Sequence, residues 1–384
     1  MRSSIDGGAV KLEQRVWTES GGWEGGPFVM VGAQLVLVFG GTKQISEARW
    51  MADLRTGNPR AHLFGCTTAG EIAGTRVYDD SVVATAVTFE KSTIQLAQVR
   101  VADTRDSVDA GERIARALPA EGLRHVFVLS DGQRVNGSAL VQGLLSHLPP
   151  GVQVTGGLAG DGARFERTFI LAGETPIEGA VGAIGLYGPS LRVGYGSLGG
   201  WDSFGPERTV TKSTGNVLFE LDGESALNLY KSYLGEHAKG LPSTGLLFPL
   251  QIQRKGSTER LVRTILAVDE AKGSLTFAGD IPEGASAKLM RANFERLIDG
   301  ASGAARTSAL AGANPELALL VSCVGRKLVL KQRTEEEVEA VQGVLGAKTV
   351  MTGFYSYGEI CPAAPDAGCQ LHNQTMTITT LSEA

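Results

Sequence analysis

The residue order predicts a mixed α/β protein: two packed domains of sheet-plus-helix units, with an internal duplication in the N-terminal half. Three observations carry this. Short apolar runs rich in β-branched residues alternate with stretches of helical period. The order strand, helix, strand, glycine turn, acid, strand pair occurs twice, with Gly70-Glu71 and Gly160-Asp161 at equivalent places. A chain of 384 residues with 51 glycines is too long for one ordinary core and rich in tight turns.

Residues 1–33 show no clear periodicity and read as an irregular lead-in. The run 34–39 suits a buried strand, 46–55 a helix, and 62–66 a second strand stopped by Thr67-Thr68-Ala69-Gly70. Segments 81–89 and 94–101 look like a hairpin, and 106–118 is an amphipathic helix. The second copy has strands at 125–129 and 152–155 around a helix at 136–148, then strands at 168–172, 182–187 and 191–195. A looser third copy runs through 317–322, 335–345, 349–352 and 375–380. The stretch 209–218 reads as a hinge, which divides the chain into domains of residues 34–208 and 209–384.

Composition excludes several classes. A net charge of -5 gives neither a basic footprint for nucleic acid nor a polybasic membrane anchor. No apolar run reaches the ~18 residues of a spanning helix, and residues 1–14 lack an apolar signal core, so a cytoplasmic location is expected. The cysteines, Cys66, Cys323, Cys361 and Cys369, include no Cys-x-x-Cys pair and should be thiols.

The turn Cys66-Thr67-Thr68-Ala69-Gly70-Glu71 follows a strand, where small residues free backbone amides for a ligand and Glu71 can accept from an ammonium. The equally simple reading is a sheet corner with a structural carboxylate. Gly160-Asp161 holds the equivalent place, without the spacing or following helix of a dinucleotide fingerprint. Near the C-terminus, Tyr355, Tyr357 and Glu359 form a polar aromatic cluster, and His372-Asn373-Gln374-Thr375 precedes a strand. No nucleophile stands beside a credible base, so no catalytic residue is assigned and the chain reads as a binder, not an enzyme. The alternative is a hydrolase using Cys66, a strand-end thiol.

Several segments in order resemble the FIST family: residues 65–72, 80–83 and 156–162 its N-terminal domain, and residues 221–223, 323–326, 353–360 and 371–373 its C-terminal domain. The resemblance implies a stand-alone sensory protein that binds a small ligand. One branch binds haem, senses nitric oxide and regulates a separate histidine kinase or cyclic-di-GMP enzyme. For this chain, which carries no kinase, receiver or cyclase segment, that branch is the specific expectation. Haem iron needs an axial imidazole or thiolate, so His372, placed ahead of His237, and Cys361 are the candidate ligands, with Tyr355, Tyr357 and Asn373 beside them. The alternative ligand is an amino-acid-like metabolite held by Cys66, Thr67, Thr68, Gly70, Glu71, Gly160, Asp161 and Glu359. A homodimer is compatible with either.

Overall fold

Three strands, Leu35–Gly40, Leu123–Ser130 and Leu317–Cys323, carry near-continuous apolar runs and are buried almost throughout. Such runs suit strands covered on both faces. Each opens a unit. After intervening helical turns, a parallel partner returns beside it: His62–Thr67, Gln153–Leu158 or Val350–Ser356. A closing strand (Val82–Phe89, Ala180–Tyr187 or Met376–Glu383) lies antiparallel on its other side. An outer strand completes each set: Val10–Thr18, Thr93–Arg100 or Leu191–Leu198. The computed structural model describes residues 3–5, 9–257, 259–309, 315–362 and 368–384, and in it the third copy follows the same strand order as the first two.

No unit finishes its own sheet. After the second strand the chain turns and delivers a short strand to a neighbour. Glu71–Ala73 of the first unit pairs with the third unit's second strand. Ile170–Ala172 of the second pairs with the first, and Gly358–Pro362 of the third pairs with the second. The exchange closes a cycle. Alternate residues of the opening strands point opposite ways. Leu37, Phe39, Phe127, Leu129, Leu319 and Val321 meet in a central core, where Phe39 stacks on Phe354 at 4.9 Å. Val126 and Val128 point outward to Ile114 and Leu140 of the helices Ser107–Ala117 and Gly137–Leu145. Close strand contact explains two glycines. A Cβ at Gly65 or Gly353 would stand 1.6 or 1.9 Å from the carbonyl oxygen of Val38 or Leu320.

Between the third outer strand and the helix Phe294–Ser308 lies an insertion, residues 202–291, of antiparallel strands with its own core around Leu218, Tyr230, Phe277 and Leu289. It begins with the long strand Asp202–Thr214, which runs through the expected hinge at 209–218. Other expectations are also corrected. Within 1–33, Val10–Thr18 is a nine-residue strand whose inward residues alternate as Val10, Leu12, Gln14 and Val16. The helix expected at 46–55 is two, Thr42–Glu47 and Met51–Gly57, broken at Ala48, whose φ is 50°. The segments 82–89 and 93–100 are not a hairpin. They pair in different sheets, because the second begins the next unit.

One buried ion pair ties the third unit together. Arg326 and Glu337 are fully buried and meet at 2.8 Å. Glu337 also accepts from Ser322 and Tyr355, while Arg326 donates to the carbonyls of Gly199 and Leu297. Removing one partner leaves the other charge uncompensated. Arg326→Met should therefore lower the urea-unfolding free energy by about 3–5 kcal/mol, and adding Glu337→Leu should recover part of the loss. A single variant as stable as wild type would show that the pair contributes nothing to cohesion.

Candidate functional site

The three strand-end turns bond to one another where the sheets converge. Ala69 N–H donates to Tyr355 O, and Tyr355 N–H to Gly70 O, both at 2.8 Å. Gly160 N–H donates to Thr67 O, and Tyr357 N–H to Leu158 O. The acids lock these turns. Glu71 accepts from Thr68 Oγ1, from Ser81 Oγ at 2.7 Å and from Ser81 N–H at 3.2 Å. Glu359 repeats the pattern with Ser356 Oγ, Thr375 Oγ1 and Thr375 N–H. Asp161 accepts from the amides of Phe165, Glu166 and Arg167 and from the Tyr357 hydroxyl. Burial raises Glu71 and Glu359 to about 7, against donors that favour their ionised forms.

A cleft of about 390 Å³ opens on one side of this ring, between the second unit and the insertion. The loop after the strand Leu123–Ser130 forms one wall. Asp131 fixes it by accepting from the amides of Gln133, Arg134 and Gly179. Asn136 caps the following helix through the Ala139 amide and donates its Nδ2 to Asp280 at 3.0 Å. The insertion supplies Asn216, Leu266 and Phe277. Leu158 and Tyr357 come from the ring, and Arg105 stands at the mouth. Tyr357 is held rigidly: its ring stacks on Phe165 at 4.3 Å, and its hydroxyl is bound to Asp161. The result is an apolar floor with amides, a guanidinium and a nearby carboxylate around it, which suits a small polar molecule.

Two family models match the chain in succession: the FIST N domain over residues 34–224 and the FIST C domain over residues 226–362. The chain belongs to the FIST family. FIST domains are signal-transduction sensor domains that bind small ligands. No curated protein matches this FIST chain. Among solved structures it is similar to a cyanuric acid hydrolase from A. caulinodans, at 8% identity and a TM-score of 0.35, covering 97% of this chain and 99% of that one.

Of the residues singled out in the sequence, only Tyr357 lines this cleft of the FIST chain. Gly70 and Glu71 do meet the 353–359 turn, and Thr67 and Thr68 meet Gly160 and Gly162, but as hydrogen-bonded backbone in a packed ring and not across a shared cavity. Gly160 packs against Ala69, and Glu359 spends its carboxylate on Ser356 of its own turn and on Thr375 ahead of the closing strand. Tyr355 lies buried on Glu337. Cys66 is fully buried and its thiol is pushed well up by desolvation, the reverse of an activated nucleophile.

These residues do not fit a haem. His372 is buried with Nε2 on the Cys361 carbonyl at 2.9 Å, and desolvation lowers its pKa to about 4. The Cys361 thiol is buried too, and burial raises it. His237 is exposed in a 3₁₀ turn, its ring 5.3 Å from that of Phe248. Asn373 is fully buried beside Gly358. The sequence reading missed Arg105, Gln133, Asn136, Asn216 and Phe277. Only Asn136 left a local signal, as a helix-capping residue type.

The raised carboxyls predict a pH dependence. Each binds its proton more tightly folded than unfolded. Its stabilising contribution is therefore full below about pH 4.5 and lost as pH rises through about 7. Between pH 5 and pH 8, Glu71→Gln/Glu359→Gln should lose less unfolding free energy than wild type. Equal losses in both proteins would show that the two carboxyls ionise freely.

Proposed function

We propose that this FIST protein is a sensory module whose ligand is an amino-acid-like metabolite bound in the cleft between the second unit and the insertion. The observation that carries the reading is the position of the cleft. It lies between two separately packed cores, and its walls come from both. Binding there favours one placement of the insertion over others, which is how a ligand shifts a conformational equilibrium.

The chemistry fits a zwitterion. Arg105 is exposed, and its pairing with Asp103 is of a kind weak enough to be exchanged for a ligand carboxylate. Asn136 Oδ1 keeps a second lone pair beyond its cap bond to the Ala139 amide and, with Nδ2 held by Asp280, can accept from an ammonium. Phe277, Leu266 and the Tyr357 ring suit an apolar stem. A separate histidine kinase or cyclic-di-GMP enzyme would read the resulting change.

Thermal shift with the L-amino acids tests this. At least one should raise the melting temperature by a few degrees at millimolar concentration, as any ligand selective for the native state does. Ala278→Trp, which fills the cleft, should abolish the shift, and Arg105→Ala should weaken binding about tenfold, the scale of one charge-assisted hydrogen bond. No shift with any α-amino acid, or an undiminished shift in Ala278→Trp, would overturn the assignment.

A further inference from the structure

The first and third units make the same turn before their closing strands and fill it with opposite chemistry. In the first unit the turn reads Asp79-Asp80-Ser81, with Asp80 left-handed at φ 53° and both aspartates exposed. In the third it reads Asn373-Gln374-Thr375, with Gln374 left-handed at φ 65°, and Asn373 and Gln374 are fully buried. The insertion accounts for part of that burial. Gln374 Nε2 donates to Leu246 O and to Thr264 Oγ1, both in residues 202–291.

The polar groups are not satisfied there. Among the described residues, neither Nδ2 nor Oδ1 of Asn373 has a hydrogen-bond partner. Buried amides are nearly always paired, and an orphaned donor and acceptor on one side chain needs an explanation. The surroundings supply one. A Cβ at Gly358 would lie 3.0 Å from Leu371 Cδ1, 3.4 Å from Asn373 Nδ2 and 3.5 Å from Leu158 Cδ1. Leu158 and Tyr357 both line the cleft. The Asn373 amide thus shares the space beside Gly358 with Leu371 and with Leu158, a residue of the cleft wall.

We propose that Asn373 is a specificity-determining residue of the cleft, reading a planar amide edge of the ligand, a donor beside an acceptor. The inference rests on the cleft being the ligand site. It narrows the ligand to a carboxamide-bearing amino acid or a molecule with an equivalent edge. Leu158 and Leu371 would swing aside to admit that edge, and both Asn373 atoms would then be paired.

The probes are L-glutamine and L-asparagine against L-glutamate and L-aspartate, with thermal shift and calorimetric titration as readouts. Wild type should prefer the amides. Asn373→Leu replaces an unsatisfied amide by an apolar group of similar size. It should melt at or above the wild-type temperature without ligand and lose the amide-dependent shift. Asn373→Asp keeps the shape, removes the donor and should bind the amides at least tenfold more weakly. Wild type responding to other amino acids and not to these amides, or both variants responding as wild type does, overturns the role of Asn373 and leaves the cleft assignment standing. Wild type responding to no amino acid overturns both. An unliganded Asn373→Leu that melts well below wild type while Asn373→Asp retains amide binding shows that the amide is structural, and overturns the proposal.

Discussion

A sheet edge exposes backbone donors and acceptors that must be paired or wetted, and this molecule settles that requirement by exchange. Each unit gives a strand to a neighbour and receives one, so every second strand gains a partner on its outer side. The arrangement makes the three sheets mutually dependent. It also forces the three strand-end turns together, since each donated strand leaves from such a turn. The packed ring, and the cleft beside it, follow from that.

The ring shows why buried polar residues do not by themselves mark a binding surface. Glu71 and Glu359 sit in turns of the same design, each saturated by a hydroxyl three residues earlier and by the amide and hydroxyl ahead of the closing strand. They are turn locks. The second unit departs from the pattern. Its Asp161 gathers backbone amides and the Tyr357 hydroxyl. That departure is at the unit which forms one wall of the cleft, and it anchors the one aromatic ring shared by ring and cleft.

Much of the architecture was legible in the sequence, because strands buried on both faces need continuous apolar runs and the turns need glycine beside an acid. The copies at Gly70-Glu71, Gly160-Asp161 and Gly358-Glu359 could be read for that reason. The outer strand Val10–Thr18 was obscured by Gln14 on its inward face, where the amide bonds Thr85 and the Met351 carbonyl. Strand exchange left no mark, since a donated strand and a hairpin strand have the same local composition. The cleft was hidden for a related reason. Arg105, Asn136 and Phe277 are far apart in the chain and carry no shared motif, and only the fold brings them together.

The insertion leaves and rejoins the trunk on a single rung, with Asp202 directly opposite Arg291. A segment attached in this way is a cassette. Its two ends already lie side by side, so a short loop in place of residues 202–291 would leave every strand pairing of the trunk intact. Exchanging the cassette would therefore replace one wall of the cleft without rebuilding the trunk. What the module recognises is thus separable from how it is built.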